Sequence, residues 1–232
     1  MLTLRPAQER GYADHGWLKG RHSFSFADYF DPAHLHFSVL RVINEDLVVP
    51  GQGFGRHGHR DMEIFSYVLD GELAHRDTLG NDSSIRPGQV QLMSAGTGVM
   101  HSEFNGSDER PVHFLQIWLI PREAGLTPRY QETEFGEADK RGKLQPIITP
   151  DGRDGSLVIQ QDAAIYAALI DGEEHAERRL APGRRGYVHV ARGSLVVNGQ
   201  PMRAGDGLKL EEEASVILEQ GREAEVLVFD LP

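Results

Sequence analysis

The chain has 232 residues, enough for one large β domain or two small domains with their own cores, and its lack of cysteine excludes disulfides, thiolate nucleophiles and Cys-ligated metal clusters. Asp and Glu number 35 against 24 Lys and Arg, and the resulting net charge of −11 argues against nucleic acid as a partner. The N-terminus lacks the apolar segment of a signal peptide and no apolar run is long enough to span a bilayer, so we expect a cytoplasmic protein without membrane contact.

Short apolar runs separated by Gly, Pro, Asn or Asp recur along the chain, and helical periodicity is nearly absent. The predicted strands are, in chain order, 36–43, 62–69, 90–93, 112–120, 157–161, 165–170, 186–191, 195–198, 207–210, 215–219 and 225–229. Two short helices are expected near residues 124–130 and 173–178. Many short strands with turn residues between them predict an all-β protein of sandwich or barrel type.

The two halves of the chain share a pattern of strand, Gly turn, strand and a small-x-Gly step into a third strand. The matching turn glycines, Gly71 and Gly193, indicate a duplicated β-barrel. The polar stretch from Pro121 to Asp154 reads as the connection. We therefore expect an N-terminal domain over residues 1–125 and a C-terminal domain over residues 126–232.

Two histidine and carboxylate pairs carry the chemical signal. His57 and His59 are two residues apart, and so are His101 and Glu103. Side chains at i and i+2 of a strand point to the same face, so each pair can project together, and Asp61 and Glu63 would share the first face if that strand ran regularly. Closure of a barrel would bring three imidazoles and one or two carboxylates together.

Imidazole and carboxylate ligands without thiolates favour a divalent transition metal. Iron is the leading expectation, and manganese, nickel, cobalt, copper and zinc remain open. Spacing alone leaves open whether Glu63 or Glu103 is the carboxylate ligand. The C-terminal half offers only His189 at the corresponding position, and one His cannot hold a metal, so we expect one metal per chain.

The spacing resembles the cupin superfamily. Gly51, five residues, His57-x-His59, three residues, Glu63 and then Gly71 follow the first cupin motif with one extra residue in the last gap. Gly98, two residues, His101, three residues and Asn105 follow the end of the second motif, where Gly-Thr-Gly replaces the usual Pro-x-Gly. This resemblance implies a bicupin, with two tandem double-stranded β-helix barrels of jelly-roll type.

More narrowly, the chain is similar to the pirin family, strongly in the N-terminal half and loosely in the C-terminal half. The segments that carry this resemblance are HGWLKGRHSFSFADYFDP (15–32), HGHRDMEIFSYVLDGE (57–72) and SAGTGVMHSE (94–103). It implies that His57, His59, His101 and Glu103 hold the metal in the N-terminal barrel. Glu63 would then have a supporting role beside the ligands, and the C-terminal barrel would be free of metal.

Bacterial pirins resemble quercetin 2,3-dioxygenases, which implies that the chain opens the central ring of a flavonol with O₂ and releases carbon monoxide. In that scheme the metal lowers the pKa of the flavonol 3-hydroxyl as a Lewis acid, and Glu103, the candidate catalytic residue, accepts the proton. The chain has no Gly-rich fingerprint for a nicotinamide or flavin, so no organic cofactor is expected.

Two alternatives stay open. The resemblance to eukaryotic pirins implies a metal-containing regulatory module that docks another protein without catalysis. The same ligands also suit an isomerase or another cupin enzyme, because one ligand set hosts several chemistries. Apolar residues that would line the pocket are, from position alone, Phe54, Met93, Met100, Phe114 and Ile117; Trp17, His22 and His75 are assigned to packing.

Overall fold

The structure is a computed structural model that describes all 232 residues, and nearly all of its regular structure is β-strand. The strands up to residue 134 are β1 (Leu2–Arg5), β2 (Gly11–Asp14), β3 (Leu18–His22), β4 (Leu40–Val48), β5 (Gly53–His59), β6 (Glu63–Asp70), β7 (Leu73–Asp77), β8 (Asp82–Ile85), β9 (Gln89–Ser94), β10 (Val99–Asn105), β11 (Val112–Leu119) and β12 (Arg129–Glu134). The later strands are β13 (Gln145–Thr149), β14 (Leu157–Val158), β15 (Ala164–Ile170), β16 (Ala176–Arg179), β17 (Arg185–Val197), β18 (Gln200–Arg203), β19 (Gly207–Leu210) and β20 (Ser215–Leu231).

Helical structure is confined to one short α-helix and two 3₁₀ turns. They are α1 (Glu137–Lys140) and the turns Ala7–Glu9 and Arg153–Gly155. The two helices predicted near 124–130 and 173–178 are wrong. None of the helices is long and apolar enough to cross a membrane.

Residues 124–130 do not form a helix because the segment begins with a turn. Gly125 has a φ of +75° and donates its N–H to Oδ1 of Asp61. Pro128 also disfavours a helical conformation at the residue before it. Residues 173–178 do not form the second predicted helix, because Ala176–Arg179 pairs with β20 as strand β16. Sheet pairing overrides the weak helical preference of this segment.

The chain divides into two compact units. One contains residues 11–134 with 159–161, and the other contains residues 1–10, 135–158 and 162–232. The first ten residues therefore group with the C-terminal half, because β1 pairs with β19. The predicted domain ranges 1–125 and 126–232 stay a prediction.

The N-terminal unit consists of two antiparallel sheets that share a core. The seven-stranded sheet has the order β12-β9-β6-β11-β4-β3-β2, and the four-stranded sheet has the order β5-β10-β7-β8. Alternate residues of both sheets point inward, as the period of a strand requires, and form one apolar cluster. Its members include Val48, Val68, Leu73, Ile85 and Phe114.

The C-terminal unit has one nine-stranded sheet, with the order β1-β19-β17-β20-β15-β13-β14 and with β16 and β18 attached to β20 and β17. Its core is a continuous cluster of small and β-branched side chains such as Val188, Val190, Val226 and Val228. Each unit thus has a core of its own. The all-β bicupin fold class is confirmed.

Candidate functional site

The predicted site residues come together where β5 pairs with β10. His101 lies opposite His57 in the antiparallel register, and the register shifts between His101 and Glu103. Gly53 makes this approach possible, because a Cβ there would lie 2.3 Å from the carbonyl oxygen of Glu103. The strand pairing therefore places both predicted pairs next to each other.

His57, His59 and His101 form a compact cluster, with one ring nitrogen from each within 4.8 Å of the others. Nε2 of His57 lies 3.0 Å from Nε2 of His101. Two ligands at right angles on one metal, with bonds of about 2.1 Å, would have about this separation. His101 is buried, whereas His57 and His59 are half-buried and reach the cavity described below.

The hydrogen bonds of the cluster determine which ring nitrogens carry protons. Nδ1 of His57 donates to the carbonyl oxygen of Gly55 at 2.8 Å, which leaves its Nε2 with a lone pair. Nδ1 of His101 lies 3.5 Å from Nδ1 of His75, whose Nε2 in turn lies 3.0 Å from Oδ2 of Asp77.

If His75 donates to Asp77, its Nδ1 accepts from His101, and Nε2 of His101 also keeps its lone pair. The lone pairs of His57 and His101 then face each other at 3.0 Å, and a cation would satisfy both. The donor set therefore fits a transition metal held by imidazoles.

The electrostatics favour neutral imidazoles. Burial, followed by the charge of His57, lowers the pKa of His59 to about 4. Burial and the neighbouring histidines lower the pKa of His101 to about 3. Both rings are thus deprotonated at neutral pH and can donate lone pairs to a metal.

Glu103 is fully buried on β10 and is held by three donors. Oε1 accepts from Ser66 Oγ at 3.2 Å and from Gln91 Nε2 at 2.7 Å, and Oε2 accepts from Gln116 Nε2. Burial raises the pKa of this carboxyl group. Only one lone pair of Oε2 remains for a further partner, and Glu103 groups with His75 and His101 as potential metal ligands.

Glu63 lies elsewhere. Its Oε2 accepts hydrogen bonds from Ser94 Oγ at 2.8 Å and from the backbone N–H of Gln160 at 3.2 Å, and it belongs to neither group of potential ligands. Asp61 is in a turn with a φ of +49°, so the strand face predicted to continue from His59 is interrupted there. The structure thus groups His57 with His59 and His101, and groups Glu103 with His75 and His101, and neither group includes Asp61 or Glu63.

A cavity of about 640 Å³ opens beside the histidine cluster and is bounded by His57, His59 and Glu103. Of the apolar residues expected to line it, only Phe54 does so. Phe114 and Ile117 are in the core, Met93 packs against Ile64 and Val99, and Met100 is at the surface. Those expectations were wrong because position along a strand does not say which core the side chain enters.

Much of the cavity wall comes from the N-terminal segment that the sequence assigned to packing. Trp17, His22, Phe26 and Tyr29 line it, and so does Asp46 of β4. The sequence feature that could have indicated this role is the run of aromatic residues between 17 and 30. Packing in a barrel core would explain the same run. His75 was likewise assigned to packing but belongs to the hydrogen-bond chain behind His101.

Both groups of potential metal ligands lie in the N-terminal unit. His189 is fully buried on β17 of the other unit and belongs to neither group. His36 contacts the carbonyl oxygen of Ser38, and His113 pairs with Glu45 at 2.9 Å, both apart from the cluster.

The sequence matches two family profiles, one described as pirin over residues 3–119 and one described as the quercetinase C-terminal cupin domain over residues 146–231. A quercetin 2,3-dioxygenase of Escherichia coli strain K12 is 45% identical over 232 residues, covering 100% of this chain and 99% of that protein. A pirin-like protein of Caulobacter vibrioides is 38% identical and covers 99% of both chains.

The fold also matches a crystal structure of a bacterial pirin from Escherichia coli in complex with nickel(II). The TM-score is 0.95 at 44% sequence identity, with 100% of this chain and 99% of that chain covered. The similarity therefore extends through both halves.

Proposed function

The chain belongs to the pirin family, and from that premise we propose that it is a metal-dependent dioxygenase that cleaves flavonols such as quercetin with O₂ and releases carbon monoxide. The observation that carries this proposal is the convergence of His57, His59 and His101 at the wall of a cavity lined by aromatic residues. A ligand site of this kind is concave and largely apolar with a few polar groups.

We assign His57, His59, His101 and Glu103 as the metal ligands and Glu103 as the proton acceptor. When bound, a divalent transition metal supplies Lewis-acid and redox chemistry toward a hydroxylated substrate and O₂. Iron is our proposal for the metal; the related bacterial pirin is known with nickel(II).

The chain's own residues have separate tasks in this scheme. Trp17, Phe26 and Trp118 present aromatic surface to a planar substrate and keep water away from it. Glu103, whose pKa burial raises, has one unused lone pair, at Oε2, so this position would hold the metal and the proton of the 3-hydroxyl in turn and not together. Ser66 and Gln91 hold the other oxygen and keep the carboxyl group in position.

The decisive experiment is aerobic and anaerobic incubation of metal-loaded protein with quercetin and with flavone, which lacks the 3-hydroxyl. We expect quercetin loss only with metal and O₂, and no loss of flavone. Quercetin loss no faster than with metal-stripped protein would contradict the enzyme function and support a protein-binding role. Cytoplasmic location and the absence of nucleic acid and membrane partners remain predictions, and a protein partner stays open.

A further inference from the structure

Asp46 is a buried carboxyl group that the chain itself leaves without a hydrogen bond. It lies on β4, is 3% exposed, and lines the same cavity as the histidine cluster. No side chain or backbone N–H donates to its oxygens. A buried polar group without a partner costs free energy, so such a group in a cavity wall indicates a ligand that supplies the missing donor.

The surroundings leave room for Asp46 and provide no substitute donor. Gly20 of β3 lies opposite Asp46, and a Cβ at residue 20 would be 3.0 Å from Oδ1. The neighbouring His22 supplies no donor as a neutral ring, because its Nδ1 donates to Oδ1 of Asn44 at 2.8 Å and its Nε2 is then an acceptor. Asp46, which lines the cavity, therefore has acceptor capacity left for a ligand there.

The other acidic residues of the cavity wall differ from Asp46. Glu103 already accepts three hydrogen bonds within the chain, and Asp28 is exposed to solvent. Burial, together with the charges of Glu103 and Glu45, raises the pKa of Asp46 to about 7, which shows how poorly the chain solvates its charge. A donor with a polar hydrogen would relieve that cost.

We propose that Asp46 binds a phenolic hydroxyl group of the substrate by accepting its hydrogen bond, and so gives the cavity its preference for hydroxylated over unsubstituted aromatic ligands. This inference rests on the proposed flavonol substrate. A site built to hydrogen-bond a hydroxyl group discriminates strongly against the analogue that lacks it, because the buried acceptor is then left unpaired. Asp46 would act as a specificity-determining residue.

The test is ligand binding by the metal-loaded protein without O₂, so that no turnover occurs. Trp17 and Trp118 are the two tryptophans of the chain and both line the cavity, so their fluorescence, corrected for ligand absorption, reports its occupation. Quercetin and flavone serve as the hydroxylated and unsubstituted probes. The variants are Asp46→Leu and Asp46→Asn, and Asp108→Asn is the control because it removes a charge at an exposed position outside the cavity.

We expect Asp46→Leu to weaken quercetin binding about tenfold or more while flavone binding stays within about twofold of the parent. Asp46→Asn keeps a carbonyl acceptor, so its affinity for quercetin should lie between those of the parent and Asp46→Leu, and Asp108→Asn should match the parent. Equal weakening of both probes by Asp46→Leu, or quercetin binding within about twofold of the parent, would overturn the proposal.

Thermal unfolding separates this role from a structural one. Removing a buried carboxyl group that has no partner should leave Tm unchanged or raise it, whereas loss of a structural residue would lower it. A lower Tm for both Asp46 variants would count against the proposal. Turnover of quercetin by the parent is measured separately, so a failure of the proposed function and a failure of Asp46 to select the hydroxylated probe are distinguishable.

Discussion

Nδ1 of His101 lies 3.5 Å from Nδ1 of His75, so a candidate metal ligand is held from behind by a second histidine. Asp77 completes the chain at 3.0 Å from His75 and is itself held by the backbone N–H groups of Leu79 and Asn81. Although burial would raise the pKa of Asp77, the hydrogen bonds from His75, Asn81 and Leu79 hold it below its usual value. The proton on His101 is thereby directed away from the cluster.

Replacing His75 with Phe should weaken metal binding about 10- to 100-fold, because His101 loses the acceptor that orients it. Competition with a chelator measures the affinity. His113→Phe is the matched control, since His113 pairs with Glu45 away from the cluster. Equal metal affinity in both variants would mean that His75 only fills space.

Substitutions of the two buried glutamates, Glu103 and Glu63, should have different effects on metal content. Glu103→Gln should lose metal because the ligand charge is removed, and Glu63→Gln should retain metal because Glu63 bonds only to Ser94 and Gln160. Elemental analysis of protein purified without added metal is the measurement, with one metal per chain expected for the parent. Metal loss from the Glu63 variant alone would reverse the ligand assignment.

Asp46 should make stability depend on pH. Its pKa is about 7 in the folded protein, raised by burial and by Glu103 and Glu45, against about 3.9 in an unfolded chain. A raised carboxyl pKa contributes stability at low pH that is lost as the pH rises toward 7. Relative to Asp46→Asn, the metal-free parent should lose on the order of 4 kcal/mol between pH 4 and 8.

Urea unfolding of parent and variant at several pH values checks this prediction. The free energy of unfolding of the parent should fall relative to that of Asp46→Asn from pH 4 to 7, and the difference should then level off. A constant difference would show that Asp46 does not titrate in this range.

Part of the site was predictable because its information is local. The pairs His57-x-His59 and His101-x-Glu103 each lie on one strand, where a spacing of two fixes the shared face. His75 was not predictable in this way, since it meets Glu103 only through the register of β7 with β10. Such long-range pairing leaves no spacing signal in a single sequence.

The fold, like the site, was predictable where it depends on neighbouring residues. Short alternating apolar runs sufficed to predict an all-β chain and its duplication, because the two-residue period of a strand is visible in neighbouring residues. The grouping of Leu2–Arg5 with the C-terminal half was not predictable, since β1 finds its partner β19 about 200 residues away. The role proposed for Asp46 was not predictable from the sequence either, because it depends on the absence of hydrogen-bond donors around the folded side chain.

The central claim is that the histidine cluster performs oxygen-dependent ring cleavage, and its most direct test is the yield of carbon monoxide. Metal-loaded parent protein and a His57→Ala, His59→Ala double variant are incubated with quercetin in air, and carbon monoxide is trapped and compared with the quercetin consumed. We expect about one carbon monoxide per quercetin for the parent and none above background for the variant. Quercetin consumed by the parent without carbon monoxide, or equal yields from both proteins, would contradict it.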